Sequence, residues 1–160
     1  MEPYEKIPIL AEAVTTYRPA VKLEDLPRIA RSSDVAELVA DSWDGIYNYE
    51  TVKALFLNKK NCVLGIAIIG QGGIAGCPVD VRLILQKALT GNAVSVILIH
   101  NHPSGNHKPS IEDIALTARV NEACNACDLK LLDHVIIVPE GTHFSFADEC
   151  LYHEGKQVIS

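Results

Sequence analysis

The residue types most able to do chemistry lie between His100 and Asp113, which reads His-Asn-His-Pro-Ser-Gly-Asn-His-Lys-Pro-Ser-Ile-Glu-Asp. His100 and His102 are two apart. In an extended backbone, residues i and i+2 point to the same side, so two imidazoles here can meet one metal ion. Asp113 follows eleven residues later, at the start of an expected helix. Two histidines and one carboxylate make a usual catalytic zinc shell, with the fourth position left for water. Such a metal lowers the pKa of its water toward about 7 and polarises a carbonyl. Each residue also has a plainer reading. A His-x-His pair is usually unrelated to metal, Ser110 suits a helix N-cap, and Ser110-x-x-Asp113 fits a capping box. The combined spacing at a strand end is more specific than any one member.

The surrounding elements must position these groups. Val94–Ile99 is apolar except for Ser95 and largely β-branched, which predicts a buried central strand ending at His100. A polar loop over 100–109 follows, then a helix from Ser110 to about Cys127. Upstream, Asp34 and Glu37 resemble a capping box for a helix over 34–43. Strands are expected over 51–57 and 62–69, joined by the turn Asn58-Lys59-Lys60-Asn61. Pro78 opens an expected helix over 79–90, and further strands are expected over 129–138 and 142–146. This alternation predicts an α/β fold with a mixed sheet flanked by helices. Residues 1–31 read as an N-terminal arm with one edge strand, 32–150 as the main domain and 151–160 as a tail.

Composition excludes several classes. The chain is 48% hydrophobic and 21% charged, which excludes disorder and collagen-like repeats. No apolar run approaches the ~18 residues of a membrane span, so no membrane association is expected. The first residues do not read as a secretory signal. Five scattered cysteines then suggest reduced thiols and a cytoplasmic setting. A net charge of −6 does not support non-specific nucleic-acid binding, which needs a basic face.

His-x-His, seven residues, Ser, two residues, Asp resembles the signature of the JAMM/MPN metallohydrolases. Within them the chain resembles the RadC family. The likeness runs through His100-Asn101-His102-Pro103-Ser104-Gly105, Glu112-Asp113-Ile114-Ala115-Leu116-Thr117, Leu132-Asp133-His134-Val135 and Phe144-Ser145-Phe146-Ala147-Asp148-Glu149. It reaches back to Leu55-Phe56-Leu57-Asn58 and covers roughly residues 32–150. The resemblance implies an MPN-type mixed, curved sheet flanked by helices, layered as in cytidine deaminases. It implies one zinc ion per chain, held by His100, His102, Asp113 and a water. It also implies a catalytic glutamate before the first core strand, where this chain has Glu50, and an oxyanion donor at Ser110. The implied activity is amide hydrolysis on a peptide, protein or isopeptide substrate. The alternative is a DNA-repair or mobile-element accessory protein that binds DNA or protein, with a structural or vestigial metal. Chains of this family often carry an upstream helix-hairpin-helix region, and none is expected within these residues.

Other features read more plainly. Gly70-x-Gly72-Gly73-x-x-Gly76 fits neither phosphate-loop template and is expected to be a bend. Cys124-x-x-Cys127 has no second pair and reads as buried thiols. Cys77 precedes a helix without an evident base, and His107 reads as a solvent-facing loop residue. Asp80 and Arg82 could pair. One member of Asp133-His134 is expected to line the site from the next strand.

Overall fold

A computed structural model describes residues 21–40, 43, 45–72, 76–149, 152–153 and 156–157, with the backbone alone at 23, 152–153 and 156–157. Its elements are α1 (Ser32–Ala40), β1 (Thr51–Leu57), β2 (Val63–Gln71), α2 (Val81–Thr90), β3 (Ser95–Asn101), α3 (Ile111–Ala126), β4 (Lys130–Ile137) and β5 (His143–Ser145). Two short strands, β6 (Tyr152–His153) and β7 (Lys156–Gln157), pair with each other within the expected tail. No helix among the described residues is long and apolar enough to cross a membrane.

The main sheet has the order β2-β1-β3-β4-β5. β3 and β4 are parallel, and the other neighbours are antiparallel. Parallel neighbours need a crossover, and α3 supplies it. β1 and β3 are buried along their whole length, polar positions such as Lys53 and Ser95 included, because both sheet faces are covered here. Alternation then sorts their side chains. Leu55, Leu57, Ile97, Ile99 and Val135 pack with Val35 and Val39 of α1 and with Trp43. Val52, Ala54, Val96, Leu98 and Ile136 pack on the other face with Ile84 and Ala88 of α2 and Val120 and Cys124 of α3. Each fully buried aliphatic side chain contributes about 1.5–3 kcal/mol. The expected α/β architecture with a mixed sheet flanked by helices is the one found: among the described residues, three α-helices flank a five-stranded mixed sheet.

Boundaries differ in instructive ways. α1 begins at Ser32, so Asp34 does not cap it from outside. Asp34 lies within the first turn, where its carboxylate accepts the N–H groups of Ala30 (2.7 Å) and Arg31 (2.9 Å). α2 begins at Val81, with Asp80 as its cap accepting from the Arg82 N–H (3.0 Å). Pro78 therefore stands before the helix. The Asp80–Arg82 pair is present at 2.7 Å. β3 runs on through His100 and Asn101 because both neighbours keep pairing there, Val52 with His100 and Ile137 with Asn101. The expected arm lies mostly outside the described residues. Its described end makes a short 3-10 turn, Leu23–Asp25, and a single bridge from Arg28 to Cys62.

The glycine-rich bend has a steric cause. A Cβ on Gly70 would come 2.5 Å from the Pro78 carbonyl, and one on Gly72 would collide with the Gly76 carbonyl. The glycines let residues 76–78 lie directly on the end of β2, where Cys77 and Pro78 form one wall of the cavity beside His100.

Candidate metal centre

α3 is unusual in what it turns inward. Its buried residues are Asp113, Thr117, Val120, Asn121 and Cys124. The first two turns thus bury polar groups, and only the later ones bury apolar ones. Buried polar groups persist where they are hydrogen-bonded, and Asp113 and Thr117 find partners in His100 of β3 and His134 of β4.

Ser110 caps α3. Its Oγ accepts from the Asp113 N–H (3.1 Å), while its own N–H and Oγ–H both donate to Asp113 Oδ2 at 2.7 Å. This is a complete capping box. The other oxygen, Oδ1, faces His100 Nδ1 at 2.9 Å. Burial pushes the Asp113 carboxyl up, but hydrogen bonds from His100 and Ser110, joined by His102 when its Nε2 is protonated, outweigh it and hold the group well below the usual carboxylate range. Asp113 is therefore an acceptor only, and His100 Nδ1 must carry the proton between them.

The same argument fixes His102. Its Nδ1 lies 2.6 Å from the Asn106 carbonyl, which can only accept. Both histidines thus spend their Nδ1–H on neighbours, and in the neutral rings both Nε2 atoms carry bare lone pairs. His100 Nε2 is buried with no hydrogen-bond partner and faces Glu50 Oε2 at 3.7 Å. His102 Nε2 faces Asp113 Oδ2 at 3.3 Å. Lone pairs facing carboxylate oxygens repel unless a cation lies between them. A proton is one such cation: burial opposes charge on His102, but Asp113, the Asn106 carbonyl and Glu50 raise its pKa on balance. A divalent metal is the other. Donor atoms of Glu50, His100 and His102 all lie within 4.8 Å of one another, a cluster that could hold a metal ion.

Glu50 reaches this place through pairing. Val52 is opposite His100 across β1 and β3, and residue 50 lies on the same sheet face as residue 52. Asn101, pointing to the opposite face, fixes the approach. Its Oδ1 accepts from the Thr51 N–H (2.7 Å), and its Nδ2 donates to the carbonyls of Tyr49 and Ile46 (both 3.0 Å). The backbone is clamped on both sides of Glu50. Sequence reasoning missed Asn101; its place between two histidines was the available signal, since the intervening residue must face the other side of the sheet.

Glu50, His100, His102, Ser110 and Asp113 line one cavity of about 890 Å³, with Arg119 at its rim. That is within the ordinary size of a ligand site. His107 is exposed on the loop and is not among the lining residues. Cys77 is at the wall, its thiol pushed up chiefly by burial. Cys124 is buried in the core and burial pushes it to about 11, which disfavours a thiolate. Ser110 is at the site, but its hydroxyl proton is engaged by Asp113.

The pair Asp133-His134 splits across the sheet. His134 lies on the site face, fully buried, and burial pushes its pKa down to about 3. Asp133 lies on the other face and accepts from Ser145 Oγ (2.6 Å), the Ala147 N–H (3.0 Å) and the His134 N–H (2.7 Å). Burial dominates and raises its pKa to about 6. A carboxyl raised above its unfolded value of about 3.9 contributes stability below that value and loses it as pH rises through the folded pKa. Wild type should therefore lose up to about 3 kcal/mol relative to Asp133→Asn between pH 4 and 7. Urea unfolding of both proteins at several pH values measures the difference; parallel curves would contradict it.

The family model of the RadC-like JAB domain matches residues 29–151. A UPF0758 protein of Porphyromonas gingivalis is 43% identical over 102 residues, 64% of this chain and 45% of the relative. Another, of Flavobacterium johnsoniae, is 38% identical over 133 residues, 82% of this chain and 58% of the relative. A third, of Clostridium beijerinckii, is 36% identical over 128 residues, 80% and 56% respectively. The chain spans about half the length of these curated relatives. The histidine pair, the capped aspartate, Glu50 and the strand that follows it all fall within the matched region, and the chain belongs to the RadC-like JAB domain family.

Proposed function

We propose that the site is a zinc centre that hydrolyses an amide bond, in a peptide or an isopeptide. The observation that carries this reading is the convergence of two bare Nε2 atoms and two carboxylates in one cavity. His100, His102 and Asp113 would hold the ion, with water as the fourth ligand. When bound, zinc supplies Lewis acidity, acidifying water and polarising a carbonyl.

The division between the two carboxylates follows exposure. The Asp113 side chain is 5% exposed and wrapped by donors, whereas that of Glu50 is 22% exposed at the cavity wall. A base must reach both the attacking water and the leaving amine, so Glu50 is the base and Asp113 the ligand. Glu50 takes the water's proton at Oε2 and delivers it to the amine nitrogen as the C–N bond breaks. Ser110 Oγ donates to the oxyanion; to do so it must turn its hydrogen from Asp113 Oδ2 toward the substrate.

The test is turnover of fluorogenic peptide amides and lysine-linked isopeptides by zinc-loaded protein. Chelator-sensitive cleavage restored by zinc is expected. Stoichiometric zinc without cleavage of either class would overturn the hydrolase reading and favour a binding role for DNA or protein.

A further inference from the structure

His134 is a polar ring in an otherwise apolar place. It is fully buried, and its Nε2 has no hydrogen-bond partner. An unpaired buried polar atom is costly and calls for a reason. The ring is the middle of a stack leading from the metal centre into the core. On one side lies His100, with centroids 6.3 Å apart and planes 12° apart. On the other lies Phe146, at 5.0 Å and 6°. Phe144 meets Phe146 edge-on at 5.4 Å. Offset stacks at these separations are attractive and restrict ring rotation.

The second contact explains why the ring is a histidine. Thr117 Oγ lies 2.6 Å from the Asp113 carbonyl, and two oxygens so close need a proton between them. Thr117 has one hydroxyl proton, so that proton points to Asp113. The 2.7 Å contact from His134 Nδ1 to Thr117 Oγ must then be an N–H donated by the imidazole. A phenylalanine could fill the stack but could not complete this chain.

We infer that His134 is a positioning residue for the metal ligands. It holds the His100 ring by stacking and holds the first turn of α3, with Asp113, through the Thr117 hydroxyl. The inference rests on the metal-centre reading above. Partners outside the ligand shell orient the ligands and typically contribute about 10–100-fold in metal affinity.

The test compares wild type with His134→Phe, Thr117→Val and Thr117→Ser, using Co²⁺ absorption and Zn²⁺ affinity by competition with a chelator. His134→Phe keeps a ring and removes the donor; Thr117→Val removes the hydroxyl at nearly constant shape. Both should weaken Zn²⁺ binding about 10–100-fold and shift the Co²⁺ bands. Thr117→Ser should restore both readouts, which a volume effect alone would not explain. If His134→Phe does not fold, the Thr117 pair decides. Wild-type spectra and affinity in Thr117→Val would overturn the inference and leave the metal reading intact. A wild type that takes up neither ion would remove both together.

Discussion

Replacing Asp113 by alanine should destabilise the metal-free protein by about 1–3 kcal/mol, the usual cost of leaving a buried hydrogen-bond donor unpaired. The carboxylate accepts two donors from Ser110 and one from His100. The variant strands the His100 Nδ1–H in a buried site and removes half of the α3 capping box. Because hydrogen bonds depress the Asp113 pKa, its contribution is complete above the ordinary carboxylate value of about 3.9 and is lost only as pH falls through the lower folded pKa. The carboxylate's own ionisation therefore leaves the penalty unchanged from pH 5 to 8, but the share that comes from raising the His102 pKa is present below the ordinary imidazole value and is lost as pH rises through the raised one, so the penalty should shrink toward pH 8. Urea unfolding across that range measures it. A loss below about 0.5 kcal/mol, the size of an ordinary surface substitution, would contradict the assigned network. On the proposed reading, in which Asp113 is a ligand, metal affinity should fall as well.

Glu50→Gln should behave differently. Its side chain touches no cap, and the backbone on either side is held by Asn101 through Tyr49 and Thr51. Stability and bound zinc should remain near wild type while turnover falls about 10²–10⁴-fold, the usual contribution of a general base. Metal content and turnover measured on one preparation separate the two effects. Loss of zinc in this variant would make Glu50 a ligand, which the close grouping of Glu50, His100 and His102 also allows. Unchanged turnover would remove its role as base.

Much of this was legible in the sequence. The β-branched run before His100 identifies the central strand, because an apolar stretch broken only by Ser95 must be covered on both faces. The spacing from His102 to Ser110 and Asp113 marks residues that share one cavity, because a strand end and a helix start are local features. What escaped depends on partners far along the chain. β3 continues to Asn101 only because β1 and β4 pair with it there. The Asn101 clamp joins residues about fifty apart. The His100–His134–Phe146 stack requires β3, β4 and the turn after β5 to meet. Local pattern also misplaced Asp34 and Pro78, since an acid in a first turn and an acid at a cap carry similar signals.

Bare imidazole lone pairs and carboxylates converge here, and on the proposed reading a metal ion lies between them. The most direct measurement is metal content of protein purified without chelator or histidine tag, alongside the double variant His100→Ala/His102→Ala. The expected result is about one zinc per chain in wild type and none in the variant, as two lost ligands leave too few for a stable site. Wild-type protein that stays metal-free after zinc is offered at neutral pH would contradict the account, and the cation between these groups would then be a proton.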